Sequence, residues 1–292
     1  MARIAVCGKH RHCRGHSGSC AFRTENLEVV PISTKVEIVK IDLSSGTIQK
    51  VEDYVAEEAP LHVFIGNAHY ATLMCTPRDL KELVVGHLLS EGLVKVVEEI
   101  QEITLKEGSM CHVNLKPTVN VESRLKLASL AYRIIPSACG GPYNPQFLKR
   151  IKPIQSAVKV KAETVQNCVK NLNNIAETFR KTGGVHVAAV YKADGVPMAF
   201  AEDVGRHNAV DKALGKAALA KAPFKDCFLA LSGRLTGDIV LKAVRVGIPI
   251  VASMAAALDS GIEIAKKANL TLIGFVRGKR MNVYNAPERI LS

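Results

Sequence analysis

The feature that most constrains the fold is a regular alternation of apolar strand patterns with single helical patterns in the second half of the chain. Strands are predicted at 185–191, 227–231, 248–254 and 270–276, and helices after Asn208, from about Gly237 to Val246 and over 261–268. Each strand pattern is a short apolar run, and each helical pattern repeats its apolar residues every three or four positions. Strands that alternate with single helices predict a layered α/β domain.

Composition narrows the class of partner. The 292 residues carry a formal net charge of +12, which favours an anionic ligand. Aromatic residues make up only 5%, so a stacking surface for single-stranded nucleic acid is disfavoured and a small anion is the better match. No apolar run reaches the roughly 18 residues of a membrane span, and the start is too short in its apolar part for a signal peptide. We therefore expect a soluble cytoplasmic protein without nucleic-acid or membrane partners.

The first half predicts a smaller, β-rich part. Lys35–Leu43 alternates apolar and polar residues before a turn at Ser44–Gly46, which indicates a hairpin. Thr76 and Pro77 predict the cap and first position of a helix that Gly92 closes. A long amphipathic helix is predicted over Glu163–Lys181. We divide the chain into a leader (1–30), an N-terminal β-rich part (31–150) and the α/β domain (151–292).

The leader is rich in cysteine and histidine, whose side chains can bind metal ions. Its first twenty residues hold three cysteines and three histidines, at positions 7, 13, 20 and 10, 12, 16. Six such side chains could hold zinc, but their spacing matches no standard zinc finger. We favour a disordered basic leader that is dispensable for folding and activity.

A polar cluster stands between a predicted core strand and a helix. The stretch Ala201–Gly215 reads AEDVGRHNAVDKALG, with five charged side chains and a histidine in fifteen residues. Ligand sites of α/β proteins lie at the carboxyl ends of strands, so this cluster is a candidate site. The alternative is an ordinary helix start, with Asp203 or Asn208 as the cap and Asp211–Lys212 on a solvated face.

Three loops complete the candidates. Ile134–Pro145 contains three prolines and two glycines, which forbid a helix or central strand, and it carries Cys139 as a candidate reactive thiol. The alternative is a small apolar side chain that closes the loop. Ser232-Gly233-Arg234 and Arg277–Arg280 end two predicted strands and combine glycine with guanidinium groups, which suits a phosphate.

These residues resemble a known family. Glu202–Lys212, with the flanking motifs Gly183–Ala189, Leu231–Arg234, Gly247–Pro249, Leu272–Phe275 and Arg280–Tyr284, is similar to the signature of the formate dehydrogenase accessory sulfurtransferases, the FdhD family. Upstream, Thr76-Pro77 and Gly86–Gly92 also match. The resemblance extends over roughly residues 30 to 292.

The resemblance implies a function. It implies a cytidine-deaminase-like fold, a homodimer, and transfer of sulfur from a cysteine desulfurase to a molybdenum or tungsten bis(molybdopterin guanine dinucleotide) cofactor before insertion into formate dehydrogenase. Cys139 matches the persulfide carrier. The cofactor is expected over the strand ends, while Asp203, Arg206 and His207 line the same pocket or brace it. The other expected cofactor-binding residues are Ser232, Gly233, Arg234, Phe275, Val276, Arg277, Gly278, Lys279 and Arg280.

The sequence departs from the family at one position of the reactive loop. The family carries Cys-Gly-x-Cys-Gly there, and Pro142 stands in place of the second cysteine. This leaves open a chaperone that binds the cofactor without moving sulfur, and, in third place, a basic nucleotide-binding regulator whose leader senses metal. No histidine is followed two residues later by glutamate and no Cys-x-x-Cys occurs, so no catalytic zinc is expected.

Overall fold

The computed structural model describes residues 21–24, 32–106, 109–124 and 149–292. The Cys/His cluster of the leader and the Cys139 loop lie outside the described residues. The first half contains β1 (Ala21–Thr24), β2 (Ser33–Asp42), β3 (Thr47–Ala56), β4 (Ala59–Ile65), β5 (Ala68–Cys75), α1 (Leu80–Ser90), β6 (Ile100–Lys106) and β7 (Met110–Leu115). The second half contains β8 (Val160–Lys161), α2 (Ala162–Ile175), α3 (Glu177–Thr182), β9 (His186–Lys192), β10 (Pro197–Asp203), α4 (Arg206–Leu219), β11 (Cys227–Leu231), α5 (Gly237–Val246), β12 (Ile250–Ser253), α6 (Asp259–Ala268), β13 (Thr271–Arg277), β14 (Arg280–Asn285) and β15 (Ile290–Leu291).

A five-stranded sheet organises the first half, in the order β1–β6–β7–β4–β5. Alternate residues of its strands face inward, so Leu61, Val63 and Ile103 are buried while His62 and Phe64 are partly exposed. Helix α1 covers the inner face with its leucines and valines. The strands β2 and β3 form a separate hairpin, paired over all ten residues of each strand. Its turn falls at the predicted position, where Gly46 takes a positive φ of 68°.

A six-stranded sheet forms the second half, in the order β10–β9–β11–β12–β13–β14. The strands β11, β12 and β13 are parallel to one another, and both margins of the sheet are antiparallel. Helices α4, α5 and α6 bury one face and α2 covers the other. The predicted layered α/β class is confirmed, because strands with two apolar faces need a helix layer on each side.

Two local predictions, one continuous helix over Glu163–Lys181 and a helix cap at Thr76, are wrong. In both cases the residues bind the end of β10 and the residue after it, at positions 202–204. The helix predicted over Glu163–Lys181 is broken at Ala176, because the backbone N–H groups of Thr178 and Phe179 donate to the Glu202 carboxylate and start α3 anew. Thr76 does not cap α1, which begins at Leu80 after a left-handed Asp79. The Thr76 hydroxyl accepts instead from the backbone N–H of Val204, 3.1 Å away.

Helices α1 and α4 cross with their backbones in contact, and two glycines permit it. A Cβ atom added at Gly86 would lie 1.7 Å from the Asp211 carbonyl oxygen, and one at Gly215 would lie 1.9 Å from the Glu82 carbonyl oxygen. Since no real contact is this short, any larger residue at either position forces the helices apart. This crossing joins the five-stranded sheet to the six-stranded one.

We predict that Gly215→Ala destabilises the protein although alanine is the better helix former. The added methyl meets backbone atoms that cannot turn away, and overpacking of this kind costs about 1–3 kcal/mol. Urea unfolding followed by circular dichroism measures the change. Asn173→Ala, at an exposed position of α2, is the control and should change the unfolding free energy by less than about 0.5 kcal/mol. Equal stability of Gly215→Ala and the wild type would contradict the close crossing.

Candidate functional site

The topology brings the predicted site segments to one edge of the six-stranded sheet. Strands β10, β11, β12 and β13 all run in the same direction, because β10 and β11 are both antiparallel to β9. Their carboxyl ends therefore emerge side by side, and the loops after them lie along one edge. We call this the carboxyl edge; it carries the segments 203–207, 232–236, 253–258 and 275–280.

The loops after β11 and β12 support each other. The backbone N–H of Leu235 donates to Ala256, and Leu258 donates back to Leu235, at 2.9 and 3.1 Å. The Ser253 hydroxyl donates to the Gly233 carbonyl over 2.6 Å. A Cβ added at Gly233 would lie 3.1 Å from the Cβ of Arg206, so this glycine lets the first residue of α4 lie against the loop. Arg234, next in the chain, is exposed.

The turn between β13 and β14 has an arginine on each of two directly opposed strand positions. Arg277 pairs directly with Arg280 across the hairpin, and both side chains are exposed. Arg277 Nε donates to the Met254 carbonyl at 2.7 Å, which ties this turn to the end of β12. Like charges on directly opposed strand positions repel each other, so an anion bound at this turn would be stabilising. Gly278, with φ of 56°, provides the backbone conformation of the turn.

Two histidines at the carboxyl edge have lowered pKa values, because they are partly buried and lie near cations. Burial and the nearby charges of Lys242 and Arg206 lower the pKa of His207 to about 4, although Asp238 lies 4.0 Å from its Nε2. Burial, together with Arg206 and Arg234, also lowers the pKa of His186. Both imidazoles are therefore neutral at physiological pH. Burial is the main cause of both lowered pKa values, and Arg206 lowers each of them further.

His186 is a residue of this edge that the sequence analysis gave no role. It stands opposite Asp203 across the β9–β10 pair, and its Nδ1 lies 3.3 Å from the Ser232 hydroxyl. The only sequence signal was its position at the start of an apolar strand, inside the motif Gly183–Ala189. A polar residue at a strand end becomes informative only when the neighbouring strand is known.

Asp203 is placed to brace the edge from inside. It is fully buried and accepts from the backbone N–H groups of Thr76 and Gly205 at 3.1 and 2.8 Å. Asn208 Nδ2 and Lys212 Nζ also reach its oxygens, at 3.1 and 2.6 Å. With these four partners in place, Asp203 fixes the turn into α4. Arg206 and His207, the next charged or polar residues, are only partly buried and lie at the edge itself.

The expectation of a solvated face at Asp211–Lys212 is wrong. Both side chains are buried, because α1 packs over this side of α4. Asp211 accepts from Ser90 Oγ at 2.6 Å and pairs with Lys242 Nζ at 2.9 Å, and its other close neighbour is His87 Nδ1 at 3.2 Å. His87 Nε2 in turn lies 3.2 Å from the Tyr70 hydroxyl. His87 is thus a core histidine with both ring nitrogens in contact with polar groups, as its place on the apolar helix face predicts.

Glu91 and Arg245 extend this network. Lys242 Nζ lies 3.0 Å from Glu91, and Arg245 contacts the same carboxylate at 3.0 Å. Burial alone would raise the pKa values of Glu91 and Asp211, but the partners together outweigh burial: Lys242, Arg245 and His87 at Glu91, and Lys242, His87 and Ser90 at Asp211. The pKa of each carboxyl is therefore lowered. We refer to Asp211, Lys242, Glu91, Arg245, Ser90 and His87 as the buried ion network.

The described cysteines are chemically protected. Cys75, Cys111, Cys168 and Cys227 are all buried. Burial raises the pKa to about 12 for Cys75 and Cys111, and to about 11 for Cys168 and Cys227. Since the thiolate is the reactive form, these four are poor nucleophiles at neutral pH. Cys139 lies outside the described residues.

Within the described ranges, no group of three or more His, Cys, Asp or Glu side chains is arranged to hold a metal ion. None of the helices in these same ranges has both the length and the apolar composition needed to cross a bilayer.

Comparison with known proteins identifies relatives over nearly the whole chain. The model of the FdhD/NarQ family matches residues 56–291. The sulfur carrier protein FdhD of Bacillus licheniformis is 35% identical over 263 residues, which cover 89% of this chain and 97% of that protein. The protein of the same name from Sulfolobus acidocaldarius is 37% identical over 257 residues, with 88% and 98% covered. The crystal structure of a candidate formate dehydrogenase accessory protein from Desulfotalea psychrophila has a TM-score of 0.73 and 29% identity, and the match covers 89% of this chain and 100% of that one.

We predict that Lys242→Met destabilises the protein by about 3–5 kcal/mol, because it leaves two buried carboxylates without their shared cation. Lys216→Met is the matched control. Its pair with Asp79 is 28% and 21% exposed, so the loss should stay below about 1 kcal/mol. Denaturant unfolding at pH 7 measures both.

Acid titration of stability adds a second readout to this prediction. Because the native pKa values of Glu91 and Asp211 lie below their unfolded values, the stabilisation is complete above about pH 5 and is lost as the pH falls through the native values. The wild type should lose stability over this range more steeply than Lys242→Met. Parallel pH profiles would show that the network does not carry the charge coupling.

Proposed function

Because this chain belongs to the FdhD/NarQ family, we propose that it is a sulfur carrier, a sulfurtransferase that serves formate dehydrogenase. In this proposal it takes sulfur from a cysteine desulfurase and passes it to a molybdenum or tungsten bis(molybdopterin guanine dinucleotide) cofactor, which it binds as a substrate. The observation that carries the proposal beyond the family name is the convergence of three segments that contain both glycine and arginine (203–207, 232–236 and 275–280) on the carboxyl edge. The proposal places this activity in the cytoplasm.

The first chemical step is a thiol–persulfide exchange at Cys139. The Cys139 thiolate attacks the outer, sulfane sulfur of the desulfurase persulfide. A new sulfur–sulfur bond forms on Cys139, the old one breaks, and the desulfurase cysteine leaves as a thiolate. No external oxidant is needed, since one sulfane sulfur is moved between two thiols.

The buried cysteines support a single carrier. Cys75 and Cys111 are poor candidates for a second thiol that resolves the persulfide, because both are buried and burial raises the pKa of each to about 12. The remaining sulfur acceptors are the cofactor, an added thiol and the cysteines outside the described ranges.

The carboxyl edge supports binding of the nucleotide part of the substrate. Arg234, Arg277 and Arg280 are exposed there and offer guanidinium groups to pyrophosphate oxygens. Helices α5 and α6 begin at the same edge, so their N-terminal dipoles add to the positive potential. A neutral imidazole has one donor and one acceptor nitrogen; Nδ1 of His186 already contacts Ser232, so its Nε2 is the nitrogen that a polar ligand would meet.

The alternative is a chaperone that binds the cofactor and moves no sulfur. Pro142, in place of the family's second loop cysteine, is the observation that favours it. Both functions need the carboxyl edge, and only the sulfur carrier needs Cys139.

We predict that Cys139 is the one cysteine whose replacement abolishes sulfur transfer. Incubation with a cysteine desulfurase and cysteine, followed by peptide mass spectrometry, should place an adduct of about 32 Da on the Cys139 peptide, the mass of one sulfur gained by exchange. Cys139→Ser should lose the adduct, fold normally and fail to activate formate dehydrogenase in cells. Cys168→Ser, at a buried position, is the control and should retain the adduct. An active Cys139→Ser would reject the carrier and favour the chaperone.

We predict that GDP, as a fragment of the cofactor, binds at the carboxyl edge and raises the melting temperature. A charge-assisted hydrogen bond contributes about 1.5–3 kcal/mol, so Arg280→Ala should weaken GDP binding about tenfold or more in calorimetry. Lys225→Ala removes one exposed positive charge just before β11, at the opposite edge of the sheet, and should leave the affinity unchanged. Equal weakening by both variants would indicate a diffuse charge effect and not a site at this turn.

A further inference from the structure

His186 lies within the carboxyl edge, between two of its loops. It is the first residue of β9, and β9 runs antiparallel to both of its neighbours, β10 and β11, so it begins where those strands end. His186 is therefore flanked by segment 203–207 on one side and by segment 232–236 on the other. It lies on the same face of β9 as Ala188 and Val190, which pack under the helices α4 to α6, and it is half-buried at the margin of that layer.

The hydrogen bonds of Ser232 select the imidazole nitrogen of His186 that carries the proton. The Ser232 hydroxyl accepts from the backbone N–H of Val187 at 3.0 Å, and it also contacts His186 Nδ1 at 3.3 Å. Within the described part of the chain, no other acceptor contacts this hydroxyl, so Nδ1 is the group to which its single proton can be donated. Nδ1 is then the acceptor of a neutral ring, and Nε2 carries the hydrogen. His186 thus presents an N–H donor at the edge.

The charges around the ring favour an anionic acceptor for this donor. Arg206 comes from the start of α4, Arg234 from the loop after β11, and Asp203 from the end of β10. Burial lowers the pKa of His186, and Arg206 and Arg234 lower it further, while Asp203 opposes them. Asp203 is fully buried and is already bonded to the groups that hold the turn into α4. The Nε2–H donor therefore lies near two guanidinium groups, and a phosphate oxygen accepts from all three.

We propose that His186 is a phosphate-binding residue and that its Nε2–H donates to a pyrophosphate oxygen of the nucleotide part of the substrate. The inference rests on the proposed function, because the pyrophosphate belongs to the cofactor named there. It adds a donor to Arg206 and Arg234, and it gives Ser232 the task of holding the ring in the tautomer that an acceptor requires. It is independent of sulfur transfer by Cys139.

Two substitutions that each keep one nitrogen of the imidazole test the proposal. The amide N–H of His186→Gln lies near the position of Nε2, whereas that of His186→Asn lies near Nδ1 and can still contact Ser232. The probe is GDP-mannose, whose pyrophosphate is a diester, as in a dinucleotide. In calorimetry at pH 8, His186→Gln should bind within about threefold of the wild type and His186→Asn at least about tenfold more weakly, since it lacks one charge-assisted hydrogen bond.

This pair of variants separates ligand binding from support of the loop. If His186 served only to brace Ser232, His186→Asn would bind normally and His186→Gln would not. His69→Asn, at an exposed position of β5 in the other sheet, is the control and should bind as the wild type does. Any result in which His186→Gln binds no more tightly than His186→Asn overturns the proposal.

Proton uptake provides a second readout that uses the wild type itself. A bound anion stabilises the imidazolium, so the pKa of His186 should rise on binding from its lowered value in the free protein. Binding then takes up a proton at a pH between the two values, and the affinity increases as the pH falls through the higher one. His207, with a pKa of about 4, titrates too low to contribute, and the diester phosphates of the probe do not titrate in this range.

Calorimetry at about pH 6.5, near the ordinary pKa of histidine, in two buffers of different ionisation enthalpy measures this uptake. It should be present in the wild type and absent in His186→Gln. Equal heats in the two buffers for the wild type, or uptake that persists in the variant, would contradict a contact between the ring and the anion.

A second nucleotide sugar identifies the part of the ligand that the ring contacts. ADP-glucose has the same pyrophosphate diester with adenine in place of guanine, so His186→Asn should weaken both ligands by the same factor. A loss confined to GDP-mannose would indicate a contact with guanine and would reject the phosphate assignment. A wild type that binds neither ligand rejects nucleotide binding at this edge together with the role of His186. Normal wild-type binding that is insensitive to both His186 variants rejects the role of His186 alone.

Discussion

The buried contact between α1 and the helices α4 and α5 is the constraint on which the arrangement of the molecule depends. Lys242 pairs with Asp211 and Glu91 where all three side chains are largely buried, and an unpaired charge there is strongly unfavourable. The glycines Gly86 and Gly215 bring the backbones close enough for these side chains to meet. Because α4 and α5 both begin at the carboxyl edge, the contact that joins the two sheets also fixes where Arg206 and Asp238 lie.

The acidic residues of the polar cluster Ala201–Gly215 bind groups of the fold, which leaves Arg206 as the charged residue of this cluster at the carboxyl edge. Glu202 starts α3, Asp203 braces the turn into α4, and Asp211 pairs inside the ion network. The three acids of the polar cluster are thus committed to the interior, while Arg206 remains at the edge. Burial is the main cause of the lowered pKa values of His186 and His207, and Arg206 lowers both further. An anionic substrate would meet Arg206 at this edge, while these three carboxylates are bonded to groups of the fold.

The cysteines and the β2–β3 hairpin also show that residue type does not decide whether a side chain is buried. The four described cysteines serve as small apolar groups in the core, so a carrier thiol has to come from elsewhere in the chain. The outer half of the hairpin is the reverse case, since its isoleucines are apolar and yet exposed. Residue type alone does not separate these uses; burial by neighbouring elements does.

The sequence by itself determined the elements and the family. Periodicity located β9, β11, β12, β13 and the helices α4, α5 and α6 to within a few residues. Gly46 and Gly92 marked turns with a positive φ, which glycine adopts more readily than other residues. Apolar periodicity and glycine turns depend on residues that are close together in the chain, so the sequence shows them directly. Only the tertiary structure decided which polar residues were internal. Asp211 and Lys212 have the pattern of a solvated helix face and become buried because α1, more than a hundred residues away in the chain, packs over them. Likewise, the sequence of 163–181 predicts one continuous helix, but the structure has two. The carboxylate of Glu202, on β10, accepts from the backbone N–H groups at the start of α3, and only the tertiary structure brings the two together.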